Sequence, residues 1–159
     1  MGKQLLMLIN DGVDADEVRQ LKSSFEQELA TVLISTPQEF PSVETISHGG
    51  RGPDIAIDLP FEAVVSTHFD GLVIPDGLLS AKALRKQPAV IELVSRFHWE
   101  NLPIFASGNA VKLLYDSKIL SHHIVVREGT PLAEFVDQAV GVLLDYPNAD
   151  QVYRATIDS

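Results

Sequence analysis

The residues whose types and surroundings could do chemistry are Glu17, the pair Asp76-Gly77, and the triplet Ser107-Gly108-Asn109. The triplet interrupts Pro103-Ile104-Phe105-Ala106-Ser107-Gly108-Asn109-Ala110-Val111-Lys112-Leu113-Leu114, an apolar run that breaks at small residues and resumes with helical spacing. A strand that turns so sharply into a helix lifts one side chain above a sheet, which is the geometry covalent catalysis exploits. Its apex is Gly108, which has no side chain, and the sequence contains no cysteine. The frame of a nucleophile turn is present without the nucleophile.

The neighbouring groups offer weak substitutes. Ser107 carries the only hydroxyl at the turn, but strand alternation aims it differently from the apex, and the neutral amide of Asn109 cannot serve as the base a serine needs. Glu17 reads in two ways: as an acidic residue favoured in a first helical turn, or as a ligand of a pocket above the sheet. His48, His68, His98, His122 and His123 lack close metal or triad spacing, and the adjacent pair His122-His123 would point to opposite faces of a strand. Asp11, Asp14, Asp16, Glu17, Asp76 and Asn109 form an oxygen-rich set suited to a cation or a polar ligand, yet their order does not match a calcium-hand loop. Acidic helix starts are favourable without any ion, so neither a metal nor a cofactor is expected.

Alternating elements must position these groups. Gln4 to Ile9 reads as a buried strand ending in Asn10-Asp11-Gly12, and a helix beginning near Asp14-Ala15-Asp16-Glu17 continues through Leu21, Phe25 and Leu29. Strands follow at Thr31 to Ser35, and more loosely at Glu44 to Ser47 and Asp54 to Leu59. Phe69 to Ile74 is a further strand, ending at Pro75-Asp76-Gly77. Helices are expected over Ala81 to Lys86, from Pro88 through Ile91, Val94 and Phe97, and over Ala110 to Tyr115. A strand at His123 to Arg127 precedes a last helix whose apolar stripe is Leu132, Phe135, Val136, Ala139, Val140, Leu143 and Leu144. Strands alternating with helices predict an α/β fold with a mostly parallel central sheet, and ligands then bind beyond the carboxyl ends of its strands. Four segments should converge there: Asn10 to Glu17, Asp76-Gly77, Ser107 to Asn109, and the loop after Arg127.

Composition narrows the function classes. A chain of 159 residues suits one domain, read as 1–146 with a polar tail over 147–159. With 22 acidic and 12 basic side chains the formal charge is −10, which disfavours nucleic acid and anionic membranes. No apolar tract reaches membrane-spanning length, the run Leu5 to Ile9 is too short for a signal-peptide core, and a cytoplasmic location is the default expectation. The lack of cysteine excludes disulfides, thiolate zinc sites and thiol catalysis.

The same segments resemble the ThiJ/PfpI superfamily, with its class I glutamine-amidotransferase-like fold. Gly12-Val13-Asp14-Ala15-Asp16-Glu17 fits the family's opening Gly turn and helical glutamate. Asp70-Gly71-Leu72-Val73-Ile74-Pro75-Asp76-Gly77 fits a family strand ending in Pro-Gly-Gly, and Leu84-Arg85 with Pro88-Ala89-Val90 stands where expected. The family elbow, roughly Pro-Val-Ala-Ala-Ile-Cys-His-Gly-Pro, laid on Pro103 to Leu114 puts Gly108 on the cysteine and Asn109 on the histidine. The resemblance implies a flavodoxin-like three-layer sandwich, Glu17 in the place of the family's acid, and intracellular protease or amidase ancestry. It also implies that Asp76, replacing the first Gly of an oxyanion loop, sets a carboxylate where negative charge would develop. The connection Leu120-Ser121-His122-His123 is shorter than the family's usual insertion.

Together these residues point to a catalytically silent ThiJ/PfpI-like protein. It would bind a small molecule or protein partner through Glu17, Asp76, Gly77, Ser107, Gly108 and Asn109, and would assemble as a homodimer. One alternative is a residual hydrolase or lyase on small carbonyl or amide compounds, with a buried Glu17 as general base and water as nucleophile. Another is a regulatory subunit that pairs with an active paralogue.

Overall fold

Leucine-rich and β-branched runs make five strands: β1 (Gln4–Leu8), β2 (Thr31–Ser35), β3 (Gly71–Ile74), β4 (Ile104–Ser107) and β5 (Ile124–Arg127). In a computed structural model, which describes residues 2–28, 30–119 and 123–145, they form one parallel sheet in the order β5-β4-β3-β1-β2. This is the flavodoxin-like order, in which the chain first steps outward from β1 to β2 and then reverses past β1 to β3.

Five helices cover the sheet: α1 (Ala15–Gln27), α2 (Leu78–Arg85), α3 (Pro88–Trp99), α4 (Val111–Asp116) and α5 (Leu132–Asp145). Alternation along the strands divides the core in two. Leu5, Met7 and Phe105 pack with Val18, Leu21 and Phe25 of α1 and with Phe135, Ala139 and Leu143 of α5. Leu6, Leu8, Ile104 and Ala106 pack with Leu84, Val94, Phe97 and Leu113 on the opposite face, beneath α2, α3 and α4. The result is the expected three-layer α/β sandwich. Among the described residues no helix is long and apolar enough to cross a membrane.

Several elements differ from their sequence expectations. α2 begins at Leu78 rather than Ala81, because the Ala81 N–H already bonds to the Gly77 carbonyl (2.8 Å) and the first turn starts directly after the Pro-Asp-Gly loop. Only Ile55–Ala56 of the Asp54 to Leu59 segment pairs as a strand, against Ser42–Val43. The Asp58 carboxylate instead accepts the Ile34 N–H at 2.8 Å. Leu144, expected in the apolar stripe of α5, is 65% exposed, since the neighbouring Leu143 takes the core-facing position in the last helical turn. Leu29, the Leu120 to His122 connection and the tail from 147 lie outside the described residues.

Candidate functional site

The strand order reverses between β1 and β3, so the crevice beyond their carboxyl ends is where this architecture opens a site. Asp14 starts the construction. With extended backbone it caps α1, its Oδ1 accepting the N–H groups of Asp16 (3.0 Å) and Glu17 (3.1 Å). In a reciprocal capping box, Glu17 would turn back to the Asp14 N–H. Here that N–H donates to the Asp76 carbonyl (2.9 Å), while Glu17 Oε2 accepts the Asp76 N–H at 2.5 Å. The loops after β1 and β3 are thereby laced together, and the Glu17 carboxylate is drawn over the strand ends.

Glu17 is 6% exposed and has two further partners. The Ser107 hydroxyl donates to its Oε1, and Arg127 Nη1 donates to the same oxygen at 3.0 Å. Arg127 also reaches Ser107 Oγ (3.3 Å), and its Nε donates to the Thr130 carbonyl at 2.7 Å. Burial pushes the Glu17 carboxyl above its ordinary value, and the nearby Asp76 charge acts in the same direction. The Ser107 and Asp76 N–H hydrogen bonds and the Arg127 charge oppose the rise without cancelling it.

The elbow itself is intact. β4 runs into a short 3-10 turn, Gly108–Ala110, and α4 follows, with Gly108 at φ +58°, in the left-handed region that favours glycine. What fills the space above it is Asp76. A Cβ on residue 108 would lie 2.2 Å from Asp76 Cγ and 2.3 Å from Oδ2, closer than any side chain could approach. Asp76 is held there by donors converging on Oδ1: the N–H of Gly77 (2.7 Å), the N–H of Asn109 (2.8 Å) and Asn109 Nδ2 (3.1 Å). Gly77 is required for a different reason, since its Cβ would lie 2.7 Å from Val13 Cα where the two loops meet.

Over this floor opens a cleft of about 680 Å³, lined by Glu17, Asp76, Gly77, Asn109 and Arg127, with Asp16 and His48 at one side and Ile46, Leu78 and Leu79 exposed at its mouth. Glu17, Asp76, Gly77, Ser107, Gly108 and Asn109 all come together, although Ser107 is fully buried and neither it nor Gly108 lines the cleft. The acidic set does not gather into one cage. Asp11 accepts the Glu44 N–H (2.9 Å), Asp14 caps α1, and Asp16 faces Arg19 (3.6 Å) and His48 (3.4 Å). Sequence reasoning missed Arg127 and His48 as members of the site. The signal for Arg127 was available, a lone cation at the end of a strand already expected to reach the crevice; His48 lies in an irregular loop that gave none.

The sequence profile of the DJ-1/PfpI family matches residues 3–128. The chain belongs to the DJ-1/PfpI family. Solved structures agree on the fold. A ThiJ/PfpI domain protein from Brachyspira murdochii superposes with a TM-score of 0.79 at 18% identity, over 92% of this chain and 99% of that one. Drosophila melanogaster DJ-1beta gives 0.79 at 16% identity, over 99% and 98%. A two-domain protein from Anabaena variabilis with DJ-1/ThiJ/PfpI-like and ferritin-like domains gives 0.78 at 14% identity, over 92% of this chain and 50% of that one. Among curated proteins, catalase HPII of Pseudomonas putida is 30% identical over 83 residues. Those residues are 52% of this chain and 11% of the catalase, so the chain corresponds to a small part of that relative's length.

Proposed function

We propose that this DJ-1/PfpI family chain is catalytically silent and binds a small molecule in the cleft above β1, β3 and β4. The observation that carries the proposal is the placement of the Asp76 carboxylate in the volume where a side chain at position 108 would stand. A nucleophile is absent there, and the room for one is taken by a negative charge.

The cleft also suggests what it binds. Asp76 Oδ2 receives no hydrogen bond from any described residue, and the apolar side chains of Ile46, Leu78 and Leu79 are exposed at the mouth. Such a site suits a ligand with an N–H or O–H donor on an apolar body. A fragment screen by ligand-observed NMR tests the assignment. Donor-bearing apolar fragments should bind and should lose affinity in Leu79→Ser and Asp76→Asn; fragments that bind equally well to both variants would place the ligand elsewhere.

The second reading is a residual hydrolase or lyase with Glu17 as general base, favoured by the upward shift that burial gives this carboxyl. A rate that followed one ionisation and vanished in Glu17→Gln would establish it. The binding protein is proposed to be a homodimer, with exposed Phe40, Trp99 and Tyr115 supplying apolar surface for a second copy. Light scattering giving the monomer mass would refute that part.

A further inference from the structure

The charges of the cleft do not balance. Arg127 Nη1 lies 3.0 Å from Glu17 Oε1, so each of these two charges is matched by the other. Asp14 caps α1, and Asp16 faces Arg19 at 3.6 Å and His48 at 3.4 Å. Asp76 differs. Its Oδ1 meets neutral amides of Gly77 and Asn109, its Oδ2 accepts no hydrogen bond, and among the described residues no cation pairs with it. A half-buried carboxylate without a counter-ion carries a desolvation cost that a cation arriving from solvent relieves. This carboxylate lines a cleft of about 680 Å³ whose mouth carries the exposed apolar side chains of Leu78, Leu79 and Ile46.

We propose that the ligand of the cleft is an organic ammonium ion, its N–H groups donating to Asp76 Oδ2 and its hydrocarbon body lying against Leu78, Leu79 and Ile46. Resting on the assignment of the cleft as a small-molecule site, this names the charge of the occupant. A neutral alcohol makes the same hydrogen bond but leaves Asp76 without a counter-ion, and an anion meets Asp76 and Asp16 with the wrong sign. The net charge of −10 draws cations toward the molecule before any contact is made. Binding is also coupled to a proton. Burial, and then the Asp76 charge, hold the Glu17 carboxyl above its ordinary value, against the Ser107 hydroxyl from β4 and Arg127 from β5. A cation on Asp76 offsets that charge and favours ionised Glu17. The ammonium therefore expels a proton from Glu17 in mildly acidic solution, and affinity rises with pH until Glu17 is ionised.

The probes are benzylammonium, benzyl alcohol and benzoate, three molecules of similar size and shape, titrated into the native protein with dissociation constants read by NMR. Benzylammonium should bind about tenfold more tightly than benzyl alcohol, the margin between a charge-assisted and a neutral hydrogen bond, and benzoate should bind weakest. Asp76→Asn keeps the Oδ1 acceptor and should erase the preference. Glu92→Gln, which removes an exposed charge on α3 paired with Arg96, should keep it. Equal binding of benzylammonium and benzyl alcohol by the native protein would overturn the ammonium assignment and leave the cleft standing as a small-molecule site. A preference that survives Asp76→Asn, or one lost as fully in Glu92→Gln, would overturn it too. Binding of none of the three also sinks it, while fragments sensitive to Leu79→Ser would still support the cleft. Proton release is measured by calorimetry at mildly acidic pH in two buffers of different ionisation enthalpy. His48→Asn protein is used, because an imidazole at the cleft's side can itself change charge there and Asn tolerates the local φ of +51°. Benzylammonium should release a proton from this protein and none after a further Glu17→Gln; release that persists would break the coupling.

Discussion

Asp76 and Gly108 occupy one volume: a side chain at 108 would begin 2.2 Å from the Asp76 carboxyl carbon. The two positions are therefore a single choice, a side chain at the elbow or a carboxylate from the neighbouring loop. This chain has the second. The left-handed backbone at Gly108 persists, at φ +58°, so the turn has kept its shape while its apex was filled from β3's side.

Coupling between these positions follows. Gly108→Ala should cost about 1–2 kcal/mol for the left-handed backbone and about 1–3 kcal/mol more for crowding against Asp76. In an Asp76→Gly background only the first cost remains. Urea denaturation of the four proteins should give an interaction of about 1–3 kcal/mol; simple additivity would mean that Asp76 does not stand over Gly108.

Glu17 makes stability depend on pH with a defined sign. Its carboxyl is raised above 4.5 in the folded protein, so the native state binds its proton more tightly than the unfolded chain does. That contribution is complete below the unfolded value and is lost as pH rises through the folded one. The stability of the native protein relative to Glu17→Gln should therefore decline from mildly acidic toward neutral pH in thermal melts. A relative gain over that window would reverse the assignment.

Arg127 bears on the same carboxylate. Its side chain is 27% exposed and its Nη1 lies 3.0 Å from Glu17 Oε1. Arg127→Met should raise the Glu17 pKa further and destabilise the fold at neutral pH by about 1.5–3 kcal/mol, the worth of a hydrogen bond to a charged group. The loss should shrink in acid, where Glu17 is protonated. Carbon-detected titration of the Glu17 carboxyl checks the first statement and urea denaturation at two pH values the second.

Asp14 acts one step further back, by starting the helix that carries Glu17. Asp14→Ala removes the acceptor of the Asp16 and Glu17 N–H groups and should cost about 1 kcal/mol. Asp14→Asn should recover most of that loss. Equal destabilisation by the two substitutions, measured by chemical denaturation, would argue against a capping role.

Much of this arrangement was legible in the sequence, because strongly periodic segments and turn residues state their geometry locally. The elbow at Gly108, the Pro75-Asp76-Gly77 strand end and the placement of Glu17 at the head of α1 came from such local signals. The two-residue strand at Ile55–Ala56 did not, since Ile34 satisfies its backbone with the Asp58 side chain in a way no alternation pattern encodes. The sequence leaves Glu17 readable both as a helix-start residue and as a pocket ligand, and it is the exchange of partners between Asp14 and Asp76 that turns it over the strand ends. Ser107 reads from the sequence as aimed differently from the apex, and its hydroxyl indeed turns away from the cleft, onto Glu17. The sequence predicts that Asp76 opposes charge on a substrate; in the structure its Oδ1 accepts the Gly77 and Asn109 N–H groups. Asp76 and Asn109 stand 33 positions apart, and their meeting depends on the strand order.

The central claim is that the elbow is closed to chemistry, and turnover measures it directly. Purified native protein should hydrolyse or rearrange small esters, amides and dicarbonyl compounds no faster than buffer does, and Glu17→Gln should be indistinguishable from it. Turnover above buffer that disappears in Glu17→Gln would contradict the account.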